Sequence, residues 1–514
     1  MKWDKLNLFL VDFILITVVI GITCYCSVGT YSNDEWWMIP YSHCKNFLQN
    51  ILYSDQGLVW SYNYQKFLID TSFLFHVHPQ QNMYIQMAKA LDYAIFIFIL
   101  SVFCKPPEKK IPHWSVVLIN TFLIFSIVIF VNISQIIQIN QHFKYIFNLI
   151  LGFAIWYILI NEFFNDYLFS KKNIIRDCLF AIILAFSGHL VNIPTITLFT
   201  LLLIYNAIKS KNIFQYFKTF LSTYYPVIIV YFVSFITYLN LPGFTSIRNT
   251  RVPSESVISY SFKHFFEFTQ EFLGHVFSSQ YIYGLLIILL FGIALLFLNR
   301  KKIDEKYLVL TISVFIANLS FQYALLTCGR TYYSNIDYWF ISPEITVTFL
   351  FYIVLDCNIV YGCLFKLLDN RLLKNFSVLF LLIVINLIYP ISISYKDFKI
   401  AYEKQIIQRE AIYKLNKLYR YYNLTKSPIL YPADYHANIN IFGAVYFLSP
   451  SLITKNLSVI YYIEKKESKI INKKILNEDE LFSKDELKHI NFNKLYDDKF
   501  ILKMKKPKFI DKKK

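Results

Sequence analysis

The sequence predicts an all-α polytopic membrane protein with about 11 transmembrane helices and a small α+β domain at its C-terminal end. Hydrophobic residues make up 56% of the 514 residues and charged residues only 17%, whereas soluble domains average ~45–50% and ~25%. The apolar residues are gathered in blocks of about 20, the length that crosses ~30 Å of hydrocarbon as a helix. These observations exclude a disordered chain and argue against an ordinary cytosolic enzyme.

Eleven apolar blocks are predicted to span the membrane, and the fifth and sixth are expected to be short and to form a tight hairpin. The predicted spans are residues 7–28, 84–104, 114–134, 143–163, 175–191, 194–208, 219–240, 281–299, 306–326, 339–361 and 376–395.

Lys and Arg are distributed unevenly between alternate loops. If the N-terminus is cytoplasmic, 18 of them fall in the inside segments and 8 in the opposite loops and helix ends, as the positive-inside rule requires. An odd number of spans then places the C-terminus outside. We therefore expect an integral, multi-pass protein of the cell inner or plasma membrane.

Three regions outside the predicted spans are large. Outer loops at about 29–83 and 241–280 are too long for simple connectors. The tail, 396–514, holds 25 Lys and Arg against 14 Asp and Glu. Its start, 397–422, is patterned as an amphipathic helix, and strand-like runs at 429–431 and 458–463 follow between Pro and Asn turns. The sequence thus predicts a transmembrane domain, 1–395, and an extracytoplasmic domain, 396–514.

The net charge of +17 is explained by basic inside loops and by contact with anionic membrane lipids. No nucleic-acid-binding motif is present, so nucleic acid is not an expected partner. The eight cysteines include no Cys-x-x-Cys pair, which leaves no metal or redox signature of that kind.

Two adjacent acids, Asp34 and Glu35, follow the first predicted span and precede Trp36 and Trp37. One interpretation is an interfacial aromatic belt with solvated acids. The other is a carboxylate held in a cleft, where it acts as a general base. The local motif favours neither interpretation, so the sequence of the rest of the loop is needed to choose between them.

The region 33–63 resembles the first extracytoplasmic loop of GT-C-type glycosyltransferases. In that family an acidic pair follows the first helix, and a short amphipathic helix and a Gly-Leu-Val-Trp-Asn-like run come next. The matching positions are Asp34, Glu35, Gly57, Leu58, Val59, Trp60 and Asn63. The resemblance implies an enzyme that moves a sugar from a polyprenyl-phosphate donor to a cell-envelope glycan or lipid-linked acceptor at the outer face. It implies catalysis by Asp34 or Glu35, and no cofactor.

A donor of this kind needs cations near the outer interface, and Arg is suited to phosphate because its planar fork binds two oxygens at once. The outer loops offer Arg248 and Arg251, in a run that opens with Pro242 and Gly243, and also Arg330. We expect them to bind the donor phosphate. The alternative is that these side chains pair with lipid headgroups.

Three polar residues within or between the spans are candidates for lining the site. His189 and Asn192 are expected at the tip of the short hairpin, facing a cavity or the outer interface. Asp92 lies inside the second span, where acids are costly and tend to be functional or paired. A structural turn explains the hairpin tip as well, and pairing with Lys89 is the simpler account of Asp92.

His76 and His78 also lie in the first outer loop and are candidates for lining the site. A His-x-His pair needs a third ligand to hold a metal, and none is evident. The sequence therefore predicts no metal centre, although a divalent metal is not excluded.

Other functions remain open at this point. An O-antigen-type polysaccharide polymerase also uses outer-face arginines and a large outer loop, but it gives no reason for Asp34 and Glu35. A transporter or flippase of lipid-linked sugars would have paired halves or broken helices, and neither is evident. A non-catalytic membrane scaffold is the fourth possibility.

Overall fold

A computed structural model gives the fold. It describes residues 83–104, 113–131, 143–165, 171–210, 212–242, 280–302, 304–321 and 343–367, four short strands in the tail, and single positions in the two large loops. The longer helices in these residues are α1 (Met83–Cys104), α2 (His113–Val131), α3 (Asn148–Phe164), α4 (Ile174–Ala185), α5 (His189–Lys209), α6 (Ile213–Leu239), α7 (Gln280–Leu298), α8 (Glu305–Leu319) and α9 (Pro343–Leu367). A π-helical turn, Phe143–Phe147, leads into α3.

Five of the described helices contain stretches long and apolar enough to cross a membrane. These stretches are Met87–Cys104, Tyr145–Phe164, Leu190–Lys209, Ile213–Leu239 and Val347–Leu364. The described part of the chain up to Leu367 is all-α, which agrees with the predicted helical membrane protein. The first and last predicted spans, 7–28 and 376–395, lie outside the described residues, so the number of eleven stays a prediction.

Helix α9 is the central helix of the bundle. Its apolar stretch is 100% buried, and it packs against α1, α2, α7 and α8. Two buried amides fix its contact with α2: Nδ2 of Asn120 donates to Oδ1 of Asn358 at 2.9 Å, and Nδ2 of Asn358 donates back to Oδ1 of Asn120 at 2.7 Å. Such reciprocal bonds satisfy polar groups that lipid could not.

The hairpin formed by α4 and α5 differs from the sequence prediction. Helix α4 has 12 residues and is short as expected, but α5 has 21 and is not. The turn lies at residues 186–188, where Gly188 has a φ of 85°, a conformation that favours glycine. His189 therefore begins α5, and Asn192 lies inside it rather than at the tip.

Pro194 is the first residue of the predicted span 194–208, yet it lies within α5, which begins at His189. A proline lacks the N–H that would bond the carbonyl four residues earlier, here that of Leu190. The hydroxyl of Tyr352 in α9 donates to this carbonyl at 2.7 Å. A side chain from the central helix thus supplies the hydrogen bond that the proline removes.

We expect Tyr352→Phe to lower the free energy of unfolding by about 1–2 kcal/mol, because it leaves the buried carbonyl of Leu190 without a donor. In a Pro194→Ala background the new N–H can bond that carbonyl, and the loss should be smaller. Thermal unfolding in detergent of the wild type, the two single variants and the double variant measures both losses of stability. If Tyr352→Phe lowered the free energy of unfolding equally in the wild-type and Pro194→Ala backgrounds, Tyr352 would not be replacing the hydrogen bond that Pro194 removes. Tyr225→Phe, at an exposed position, is the control.

The tail contains a small parallel sheet. Its strands are β1 (Ile429–Pro432), β2 (Ile460–Ile463), β3 (Lys474–Leu476) and β4 (Phe500–Leu502), in the order β2-β1-β4-β3. The first two coincide with the strand-like runs seen in the sequence. The predicted helix at 397–422 lies outside the described residues, so an α+β domain remains a prediction.

Candidate functional site

Part of the first large loop is folded onto one end of the helix bundle. We call the described helical residues between positions 59 and 68 the first-loop segment: Val59, Trp60, Ser61, Asn63, Tyr64, Phe67 and Leu68. The end of the bundle that this segment contacts is called the loop end, and the opposite end is called the far end.

Trp60 joins the first-loop segment to the α4–α5 hairpin. Its Nε1 donates to the backbone carbonyl of Ile183 at 2.9 Å, and its ring meets that of Phe186 edge-on, with the centroids 6.4 Å apart. Val59 is buried in a cluster with Tyr238 and Leu241, at the end of α6. Residues that carry the family resemblance therefore have a packing role, which positions the loop.

Tyr64 joins the same segment to α1 and to the start of α3. Its hydroxyl donates to Oδ1 of Asp92 at 3.2 Å, and its ring stacks on Phe147 with the centroids 4.5 Å apart. Asp92 is 4% exposed and Lys89, one turn away on α1, is 0% exposed. The structure thus places a buried acid beneath the first-loop segment, with a buried lysine one turn away from it on α1.

Asn192 occupies a second buried polar position at the loop end. Its side chain is 1% exposed, and its Oδ1 accepts a hydrogen bond of 2.6 Å from the hydroxyl of Tyr231 in α6. Its Nδ2 has no hydrogen-bond partner among the described residues, and the same holds for Oγ of buried Ser61. Both atoms are buried polar groups that lack a partner among the described residues. The structure does not describe the side chain of His189.

The first-loop segment brings these two positions to the same end of the bundle. Trp60 and Tyr64 are four residues apart, one helical turn, and they contact the hairpin and Asp92 respectively. The described residues of the loop end thus include buried carboxylate, amide, hydroxyl and ammonium groups. Such groups recognise polyhydroxylated or phosphorylated molecules by hydrogen bonds and charge.

Most of the residues that the sequence proposes for the site lie outside the described residues. They are Asp34, Glu35, Arg248, Arg251, Arg330, His76 and His78. Their roles therefore remain predictions. Within the described part of the chain, no group of three or more His, Cys, Asp or Glu side chains is arranged to hold a metal ion.

An apolar cavity of about 250 Å³ runs between α3, α4, α5 and α6. Its walls are mostly aliphatic and aromatic, and they include Leu159, Phe180 and Val227. The predominantly apolar walls of this cavity offer few hydrogen-bond partners to a sugar. The adjoining face of α6 is largely exposed, since only 11% of its apolar stretch is buried in the bundle.

A charged cluster that the sequence analysis missed lies where this cavity approaches the far end. Nη2 of Arg176 donates to Asp177 at 2.7 Å and also contacts Glu162, and the hydroxyl of Tyr224 donates to Asp177 at 2.6 Å. Asn173 donates to Glu162 at 2.8 Å. These hydrogen bonds and ion pairs connect α3, α4 and α6. Both acids are already occupied by them, so the cluster has a structural role.

The sequence analysis also missed Asp356, a buried acid in the middle of α9. The available signal was an acid within an otherwise apolar spanning segment, which is the same signal that identified Asp92.

The chain matches no protein-family model, and no curated protein or solved structure matches it either.

Proposed function

We propose that this protein is a GT-C-like membrane glycosyltransferase. It transfers a sugar from a polyprenyl-phosphate donor to a cell-envelope glycan or lipid-linked acceptor at the outer face of the membrane. The observation that supports this most directly is the docking of the first-loop segment over Asp92 at the loop end. A loop that opens with Asp34 and Glu35 is thereby anchored beside buried polar groups.

In the proposed reaction, Asp34 or Glu35 removes the proton of the acceptor hydroxyl as its oxygen attacks the anomeric carbon of the donor. The bond from that carbon to the phosphate oxygen breaks, and polyprenyl phosphate leaves. Arg248, Arg251 and Arg330 stabilise its growing negative charge. A direct, in-line attack inverts the anomeric centre.

The described residues have supporting roles in this proposal. Asp92 and Asn192 lie at the end where the sugar would be held, and their side chains can accept and donate hydrogen bonds to sugar hydroxyls. The apolar cavity between α3 and α6 suits the hydrocarbon part of the donor. His76, His78 and His189 are further candidates for lining the site, and no cofactor is required.

The finer architecture belongs to the same proposal. It consists of eleven spans, a cytoplasmic N-terminus, an extracytoplasmic α+β domain at 396–514 and insertion in the inner or plasma membrane. The distribution of Lys and Arg in the sequence supports this orientation. It places the loop end outside, which is the face where lipid-linked sugars are used in this proposal.

A transporter of lipid-linked sugars is the second candidate. The observation that favours it is the burial of Lys89 and Asp92 within one membrane helix, since such residues also mark transport pathways. A transporter would move the donor across a vesicle membrane without breaking its sugar–phosphate bond, so release of polyprenyl phosphate separates the two functions.

We expect Arg330→Ala to raise the apparent KM for the donor roughly 10–100-fold, because a charge-assisted hydrogen bond to phosphate contributes about 1.5–3 kcal/mol. The measurement is steady-state transfer by the purified protein with a synthetic polyprenyl-phosphate sugar. Arg300→Ala, in the 3-10 turn Arg300–Lys302 at the far end, is the matched control. An unchanged KM in Arg330→Ala would remove this residue from the donor site.

A further inference from the structure

Asp356 lies in the middle of α9, the central helix of the bundle. It is 2% exposed, and the stretch Val347–Leu364 that contains it is 100% buried. A carboxyl group placed there is surrounded by protein and has no contact with bulk water. It therefore has to be neutral, paired with a cation or bound to several donors.

The contacts of Asp356 provide one donor. Nδ2 of Asn318 in α8 donates to Oδ2 of Asp356 and also to the backbone carbonyl of Tyr352, the latter at 3.1 Å. Oδ1 of Asp356 has no hydrogen-bond partner among the described residues. Oδ1 of Asn318 and Oγ1 of Thr311, both buried, likewise have none there.

The described helices that pack against α9 have no positively charged side chain at the height of Asp356 along the bundle. Helix α7 contains no Lys, Arg, Asp or Glu, and α2 contains only the titratable His113 at its first position. In α8, Glu305 and Lys306 lie in the first turn at the far end.

Lys89 and Asp92 of α1 are also distant from Asp356. Phe96 contacts Phe351, and this pair aligns α1 with α9. At about 1.5 Å per residue, Lys89 lies roughly 15 Å or more along the bundle from the level of Asp356.

The titratable neighbours of Asp356 on α9 itself are Tyr352, Cys357 and Tyr361. The hydroxyls of the two tyrosines donate to the carbonyls of Leu190 and Ile288. None of these side chains carries a positive charge, so they cannot neutralise a carboxylate.

An ionised Asp356 would thus be a buried charge with one amide donor, an arrangement that costs several kcal/mol. We propose that Asp356 is an intramembrane proton-binding site, in which Oδ1 holds a proton while Oδ2 accepts from Asn318. Nδ2 of Asn318 already contacts Oδ2 of Asp356, and the unpartnered Oδ1 of the same amide is the acceptor that this arrangement offers to an acidic O–H.

A proton fits this site better than a metal ion does. Metal cations of the hard, oxygen-binding kind need about six ligands, and the contacting pair of Asp356 and Asn318 has two unpartnered side-chain oxygens. The void that Asp356 and Thr311 line is too small for a water molecule, so water cannot complete a coordination shell or carry the proton away.

Infrared spectroscopy of the purified full-length protein tests this proposal, which does not depend on sugar transfer. We expect the wild-type spectrum to contain a carbonyl band of a protonated carboxylic acid that shifts when the protein is labelled with ¹³C-aspartate. The band should be lost in Asp356→Asn. It should persist in Asp177→Asn, the matched control, because Asp177 forms an ion pair with Arg176.

Three outcomes would overturn the proposal. The wild-type protein could lack a protonated aspartate band, a result that needs no variant to fold. The band could survive Asp356→Asn, which would assign it to another residue. It could also disappear when sodium replaces potassium in the buffer, which would show that the site takes a metal cation instead of a proton.

Discussion

Replacing the acids that follow the first predicted span should abolish most sugar transfer in at least one of two variants, Asp34→Asn and Glu35→Gln. Loss of a general base lowers the rate of such a reaction about 10²–10⁴-fold. The decrease should appear in kcat, because the amide and the acid have nearly the same size and the donor can still bind. The rate of transfer from a synthetic polyprenyl-phosphate sugar, measured at saturating donor, gives kcat for the wild type and for each variant.

The matched control for these variants is Glu305→Gln. Glu305 is an exposed acid at the far end, where it pairs with Lys209, and its loss should leave kcat unchanged. Full activity in both Asp34→Asn and Glu35→Gln, with normal amounts of protein in the membrane, would remove these residues as the base.

The largest effect on stability is expected at Gly362, where α9 meets the end of α1. A Cβ at this position would lie 2.9 Å from the backbone carbon of Cys104 and closer still to its carbonyl oxygen. Because both atoms belong to the backbone, no side chain can rotate to make room. We expect Gly362→Ala to lower the free energy of unfolding by about 1–3 kcal/mol, although alanine is the better helix former by ~1 kcal/mol.

Thermal unfolding in detergent measures this effect, and Gly274→Ala is the matched control. A Cβ at Gly274 meets no atom within 4 Å, so that variant should be as stable as the wild type or more stable. A Gly362→Ala protein that gained stability like the control would contradict the close packing of α1 against α9.

The helical segments could be predicted from the sequence because each described helix up to α9 coincides with a block of apolar residues. The predicted ends of the helices were less accurate, because capping side chains determine where a helix begins and ends. Helix α6 begins at Ile213 and not at 219, because the side chain of Asn212 accepts from the backbone N–H of Gln215 at 3.0 Å. The sequence predicts a helix that begins at Pro194, whereas the hydrogen bond from Tyr352 to the carbonyl of Leu190 allows this proline inside α5.

The polar positions at the loop end were partly predictable. Asp92 was identified because an acid among apolar residues needs a partner or a function. Asn192 was identified as the tip of the hairpin, although it lies inside α5. Their partners were not predictable, because Tyr64 is 28 residues from Asp92 and Tyr231 is 39 residues from Asn192. Contacts at such separations depend on how the helices pack, and no local pattern encodes them.

Mass analysis of the surface glycans of cells that lack this protein tests the central claim most directly. The proposal predicts that one sugar is missing from a glycan or glycolipid, that the wild-type gene restores it, and that the inactive variant among Asp34→Asn and Glu35→Gln does not. Glycans identical to those of the parent cells would contradict transfer of a sugar by this protein.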